Sequence, residues 1–213
     1  MNLPRRFPGL LLAALAFAGS TAYAEVAKER YYFELKTITA KPELKPEAVK
    51  MATPRVLAEA KKAFEHQPQI AAKLEGAPDP KADPDGYRGY LAKLHIAGAF
   101  NVNIEITDAA EVLTPKADKP GAQELEVRLA LRMLGSHIPD DTLGFTGHGK
   151  AGSKQEVGAK PTAHELQETW DQVTEVAVSA AVKTALEELA LSAKTKAKPK
   201  AKPKPTPSTP APH

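Results

Sequence analysis

The stretch GFTGHGKA, residues 144–151, decides between two folds for this chain of 213 residues. Its spacing, G-x-x-x-x-G-K, is that of the phosphate-binding loop of nucleotide-binding α/β proteins. Such a loop follows a buried parallel strand, opens directly into a helix, and ends in a Ser or Thr that binds Mg²⁺. Here Ala151 takes the place of that hydroxyl, and no helical pattern begins before Thr162. We therefore interpret the stretch as an edge strand that starts at Leu143, with glycines where the backbone bends or approaches a neighbour.

Three earlier patterns supply partners for this strand. Residues 31–39 alternate apolar and polar side chains, as do residues 94–107 and residues 124–132. A period of two predicts half-buried strands, and the loop rich in proline and glycine between the last two predicts an antiparallel hairpin. The edge strand is then expected to return against residues 125–133.

Helical patterns surround these strands. Thr53 and Pro54 predict a helix N-terminus, a second short helical turn is expected over residues 70–74, and Thr162 with Glu165 forms a capping box. The helix that follows the capping box is expected to continue to Ser192, with the only tryptophan on its core face.

The predicted fold class is α+β, a small and mainly antiparallel sheet with helices on one face, a long C-terminal helix and a disordered basic tail. The folded part is a single domain, residues 25–192, which is an ordinary size for one core.

The first 24 residues predict export. Arg5 and Arg6 precede a short apolar run, and Ala22-Tyr23-Ala24 has the form of a cleavage site, so residues 1–24 are interpreted as a signal peptide. No later segment is apolar enough to span a membrane, and the chain contains no cysteine for a disulfide or a lipid anchor. The expected location is periplasmic or secreted.

The last 21 residues form a different kind of segment. Residues 193–213 contain only Lys, Ala, Pro, Thr and Ser before the final His, a composition that cannot build a core and predicts a disordered tail with polyproline II character. The whole chain carries a net charge of +3, whereas residues 25–192 carry about −5. The tail is therefore either a spacer or a binding arm for an anionic polymer, such as a cell-surface polysaccharide or a nucleic acid. The candidate polyanion-binding residues are its lysines, Lys194, Lys196, Lys198, Lys200, Lys202 and Lys204.

The sequence contains no recognised catalytic motif. The six histidines show no i, i+4 pair, and no serine-nucleophile motif is present, so we predict no catalytic residue, no metal site and no cofactor. Asp83 and Asp85 suggest a calcium loop, but the spacing places Lys81 at its first position, so a solvated turn is the better interpretation. Under the hypothesis of an unrecognised enzyme, the active site is expected to be a concave polar site around His148 and Asn101.

The run IPDDTLGFTGHGKAGSKQEVG, residues 138–158, followed by a long alanine-rich helix, resembles the small α/β domain that closes certain exported bacterial HEAT-repeat proteins. More loosely, the order of elements is similar to that in the periplasmic domains of penicillin-binding-protein activator lipoproteins and curli-secretion pore subunits. This chain lacks helical repeats and the lipidated cysteine of the lipoproteins. The resemblance implies contact with an envelope protein partner and offers no catalytic residues. The leading hypothesis is therefore a non-catalytic exported envelope module for protein–protein contact, with the anionic-polymer hypothesis second and an unrecognised enzyme third.

Overall fold

A computed structural model describes residues 29–197 of the chain. Five strands and three helices follow one another in the order β1 (Arg30–Ala40), α1 (Pro46–His66), β2 (Ile70–Ala71), α2 (Pro84–Lys93), β3 (Ile96–Pro115), β4 (Ala122–His137), β5 (Leu143–Gly158) and α3 (Ala163–Ala197). The predicted signal peptide lies outside the described residues.

The sheet is mixed. Its strand order is β2-β1-β3-β4-β5. β3, β4 and β5 form the long antiparallel meander that the sequence predicts, with β5 at one edge. β1, however, is parallel to both β3 and β2. The prediction of a mainly antiparallel sheet therefore holds for the meander alone, because the parallel pairings join segments far apart in sequence.

Helix α1 begins earlier than predicted. Its first residue is Pro46, and Pro54 lies inside the helix, so the interpretation of Thr53 as an N-cap is wrong. The Thr53 hydroxyl instead donates to the Val49 carbonyl at 2.9 Å within the helix. A proline inside a helix removes one backbone hydrogen bond. Burial of one continuous stripe compensates for this loss, and its members are Ala48, Ala52, Val56, Ala60 and Phe64.

The stretch 144–151 lies within β5, against α3. A Cβ atom at Gly149 would fall 1.8 Å from the Ala177 carbonyl oxygen, and one at Gly147 would fall 2.4 Å from that of Ala181. These glycines let the helix backbone approach the strand. The edge-strand interpretation is therefore correct, and the glycines serve packing.

Side chains of α3 also cover the free edge of β5. The Thr146 N–H donates to Glu188 Oε2 at 2.7 Å, and the His148 N–H donates to Thr184 Oγ1 at 2.7 Å. An unpaired strand edge is a template for aggregation, and these contacts satisfy its donors within the chain.

The position of α2 differs from the prediction that all helices lie on one face of the sheet. Helices α1 and α3 pack on the face that carries Tyr31 and Phe33 of β1. Tyr87 and Leu91 of α2 pack in a separate cluster with Tyr32. Because successive side chains of a strand point to opposite faces, α2 covers the other face.

Two segments near α2 also differ from the predictions. Residues 70–74 do not form a helical turn, since β2 pairs with β1 there. The segment expected to be a solvated turn is α2 itself, and Asp83 is its N-cap, accepting from the Gly86 N–H at 2.9 Å.

The C-terminal helix extends past its predicted end at Ser192. It continues to Ala197, so the first residues of the predicted disordered tail are helical. Helix propagation past the last buried turn is natural for Ala and Lys, which are strong helix formers. Residues 198–213 lie outside the described residues. Across residues 29–197, no helix is long and apolar enough to cross a membrane.

Candidate functional site

The face of the sheet opposite α1 and α3, here called the outer face, carries the polar side chains of the strands. His148 and Asn101 both lie on it, but two strands apart and four residues out of register, since His148 is level with Arg132 and Glu105. From strand geometry this offset is roughly 16 Å. The structure therefore does not bring His148 and Asn101 into one site.

Ion pairs occupy the half of the outer face around His148. Arg132 lies 2.7 Å from Glu105 Oε2, a contact without the geometry of a hydrogen bond. Lys154 contacts Glu124 and Glu126 at 3.4 and 3.1 Å, and these carboxylates raise the pKa of its ammonium group. Exposed pairs of this kind contribute little to stability. They make this half of the face a solvated surface of alternating charge.

The other half of the outer face holds an open pocket of about 480 Å³. Its floor is Tyr32 and Glu34 of β1, one wall is the loop before α2, and the other wall is Tyr87 and Ile138. We call this site the Tyr32–Tyr87 pocket. The loop contributes Leu74, Ala77, Pro78, Asp79, Pro80 and Lys81.

Tyr87 is the unusual member of this pocket. Only 3% of its surface is exposed. Burial, followed by the proximity of the Tyr32 phenol and the Glu34 carboxylate, raises the pKa of Tyr87 to about 12. Because both of these neighbours line the pocket, the hydroxyl end of Tyr87 lies at its wall. Among the described residues this hydroxyl has no hydrogen-bond partner, and it is not one of the buried polar atoms, so it is accessible to solvent in the open pocket.

The walls of the pocket are held by specific contacts. The Tyr90 hydroxyl of α2 donates to the Glu75 carbonyl, which ties the loop to the helix. Asp79 Oδ1 accepts from the Lys81 N–H at 2.8 Å and fixes the turn of the loop. These bonds preform the pocket, and they leave Asp79 Oδ2 available at its rim.

A buried polar atom without a partner among the described residues lies beside the pocket. Asn101 is the neighbour of Glu34 in the register between β1 and β3. Its Oδ1 atom is buried and accepts no hydrogen bond from the described residues. Buried acceptors without donors are few in native proteins, and each calls for an explanation.

Two of the smaller pockets on the helical side lie beside α1 and at the end of α3. One, of about 240 Å³, is open between α1 and α3 and is lined by charged ends of side chains. The other, of about 270 Å³, lies between Tyr31, Phe100 and the end of α3 at Ser192 and Ala193.

Within residues 29–197, no group of three or more His, Asp or Glu side chains is placed to hold a metal ion. The candidate calcium ligands Asp83 and Asp85 serve as the cap and first turn of α2.

The predicted polyanion-binding lysines are only partly described. Lys194 is an exposed residue of α3, and Lys196 belongs to the same helix. Lys198, Lys200, Lys202 and Lys204 lie outside the described residues.

The sequence analysis did not predict the Tyr32–Tyr87 pocket. The only feature of the sequence that could have indicated it was the pair Tyr87 and Tyr90 beside the proline-rich loop.

No protein family and no characterised protein matches the sequence. Solved structures resemble the fold weakly. A lipoprotein candidate from Caulobacter crescentus is 11% identical, with 77% of this chain and 93% of that chain covered and a TM-score of 0.37. A DUF330 protein from Xanthomonas campestris is 9% identical, with coverages of 76% and 88% and a TM-score of 0.42.

A minor lipoprotein from Acinetobacter baumannii is 8% identical, with coverages of 78% and 95% and a TM-score of 0.33. None of these three proteins is described as a HEAT-repeat protein, a penicillin-binding-protein activator or a curli pore subunit. Likenesses of this strength carry no argument about function.

Proposed function

We propose that the chain is an exported, non-catalytic module of the cell envelope that binds a protein partner through the Tyr32–Tyr87 pocket. The observation that carries the proposal is the pocket itself, where the hydroxyl of the otherwise buried Tyr87 is open to solvent and bonds to no described residue. This hydroxyl is free of contacts within the described chain, so it is available to a ligand. A ligand in the pocket would exchange a hydrogen bond with it in place of water.

The lining of the pocket favours an extended segment that contains proline and lysine. Tyr32 and Tyr87 provide two aromatic side chains, and Pro78 and Pro80 extend the apolar wall. Grooves lined by aromatic residues recognise polyproline II segments because such segments are already ordered before binding. Glu34 and Asp79 add carboxylates for a cationic side chain, although Lys81 also lies at the rim. The partner segment is therefore expected to alternate proline with basic residues.

The proposal is tested by photo-crosslinking in intact cells that express the full chain. A photoreactive amino acid at Leu74, inside the pocket, is expected to give one discrete adduct with a partner protein. The same amino acid at Leu57, an exposed position on α1 at 39%, is the positional control and is expected to give none. Equal adducts from both positions, or no adduct from Leu74, would contradict the proposal.

Tyr87→Phe separates binding from folding. Because the hydroxyl has no partner in the described chain, its removal is expected to change stability by less than about 0.5 kcal/mol. Loss of one hydrogen bond to the partner is expected to weaken binding about 2- to 10-fold. Tyr31→Phe is the matched control, since its hydroxyl donates to Glu29 at 2.8 Å and lies away from the pocket. An adduct from Leu74 that survives Tyr87→Phe unchanged would show that the hydroxyl plays no part.

A further inference from the structure

We propose that residues 198–213 of this chain dock in the Tyr32–Tyr87 pocket of the same molecule and keep the partner out until it displaces them. This proposal rests on the proposed function of the pocket and adds an occupant supplied by the chain itself. It follows from three observations, which are the place where α3 ends, the sequence of the segment, and the charge of the pocket.

Helix α3 delivers the segment to the correct end of the sheet. The end of α3 meets Tyr31 and His137 at the 270 Å³ pocket on the helical face. The residues that follow these two in the chain, Tyr32 in β1 and Ile138 just after β4, line the Tyr32–Tyr87 pocket. Because successive residues of a strand face opposite sides, the two pockets lie back to back. Only the thickness of the sheet end, roughly 10 Å, separates them.

The segment after Ala197 is long enough to turn around this end. Its sequence is KPKAKPKPTPSTPAPH. In a polyproline II conformation residues 198–213 would span up to about 50 Å. Pro207 and Pro210 form a P-x-x-P motif, the spacing that aromatic-lined grooves read in polyproline II ligands. The segment therefore has the chemistry that the proposed partner needs.

Charge and tethering favour the contact within one molecule. The four lysines of the segment face a pocket with two carboxylates, Glu34 and Asp79, and one ammonium group, Lys81. Glu34 already pairs with Lys36 at 2.5 Å, so Asp79 is the more available carboxylate. A short tether gives an effective concentration in the millimolar range, so even a weak contact is occupied. Binding of the partner then requires displacement of the chain's own segment.

Disulfide trapping in the full chain tests the docking, because the natural sequence contains no cysteine. Ala77→Cys in the pocket is combined with Thr206→Cys in the segment, and the rate of disulfide formation is measured under mild oxidation. The control pair is Leu143→Cys with Thr206→Cys. Leu143 is 66% exposed and adjoins Gly144, which lines the pocket at the end of α3. An undocked segment would therefore reach the control position at least as readily.

The expected result is that the Ala77 pair crosslinks at least 10-fold faster than the Leu143 pair, at a rate independent of protein concentration. An excess of free peptide with the sequence of residues 198–213 is expected to slow the Ala77 pair. Equal rates, a faster control pair, or predominantly intermolecular disulfides would overturn the proposal.

A second measurement leaves the sequence unaltered. A carbodiimide that joins lysines to carboxylates is expected to link the segment to Asp79 in preference to Glu187, an exposed carboxylate of α3. Linkage that favours Glu187 would overturn the docking. If docking fails while the adduct from Leu74 persists, the proposed function stands. If docking is found, the adduct from Leu74 is measured again in the chain that lacks residues 198–213, and its absence there contradicts the proposed function alone.

Discussion

At the residue scale, the tyrosines differ in whether their hydroxyls bond to another described residue. The Tyr31 and Tyr90 hydroxyls each donate to a partner within the chain. Tyr87 is as buried as Tyr31, yet its hydroxyl bonds to none of the described residues. Because this hydroxyl is accessible to solvent at the pocket, it is available to bond to a ligand there.

The raised pKa of Tyr87 predicts a specific weakness at alkaline pH. An unfolded tyrosine ionises near pH 10, whereas Tyr87 in the fold ionises at about 12. Above pH 10 the unfolded chain releases this proton first, so the contribution to stability is complete below pH 10 and is lost as the pH rises towards 12. Urea unfolding at pH 9 and pH 11 should show a smaller loss for Tyr87→Phe than for the natural chain.

Tyr31 and Tyr32 also have raised pKa values, chiefly because of burial. Both remain in the Tyr87→Phe variant, so the comparison isolates Tyr87. Identical losses of stability in the two proteins would mean that Tyr87 ionises in the fold as freely as in the unfolded chain.

At the scale of elements, the contact between β5 and α3 organises the helical face. Small residues on both elements allow the backbones to approach, and hydrogen bonds from the Thr146 and His148 N–H groups to Glu188 and Thr184 fix the helix over the strand edge. Trp170 is fully buried near the start of the helix, where its Nε1 donates to Glu111 at 2.8 Å. The stretch that resembles a phosphate-binding loop is thus a helix-docking surface.

Two glycines of β5 provide a matched test of this contact. Gly149→Ala places a methyl group 1.8 Å from the Ala177 carbonyl oxygen and must push the helix away, at an expected cost of about 1–3 kcal/mol or more. Gly152→Ala meets nothing nearer than 3.5 Å and is expected to be neutral or slightly stabilising. Thermal unfolding of both variants measures the difference. Equal stability of the two variants would show that Gly149 does not set the approach of the helix.

The elements that the sequence predicted well are those specified locally. The capping box is present, since the Thr162 N–H donates to Glu165 Oε2 at 2.7 Å and the Glu165 N–H donates to Thr162 Oγ1 at 3.2 Å. The hairpin and the edge strand are also confirmed, because alternation and turn residues determine them. Pro54 was misleading because packing of the apolar stripe of α1 outweighed a local signal for a helix start. β2 was missed because two residues carry no periodicity, and their pairing is with a distant strand.

At the scale of the whole molecule, the candidate site is an assembly of distant segments. β1 supplies Tyr32, the loop before α2 supplies Asp79, α2 supplies Tyr87 and the turn after β4 supplies Ile138. An ion pair at 3.1 Å between Arg88 and Asp140 joins the last two segments. No local pattern could have predicted this pocket, since it depends on α2 crossing to the outer face.

The division into a folded body and a basic segment yields the last prediction. Deletion of residues 198–213 removes no large apolar side chain, so the stability of the remaining chain is expected to change by well under about 1 kcal/mol. Binding of the full chain to a polyanion such as heparin is expected to weaken steeply as the salt concentration rises. Because residues 198–213 contain four lysines, their deletion is expected to remove most of this binding. Substitution of Lys198, Lys200, Lys202 and Lys204 by Gln is the matched control, since it keeps length and prolines. If charge alone matters, this variant loses polyanion binding to the same extent as the deletion. Retention of polyanion binding in both variants would place the anionic-polymer site on the body instead.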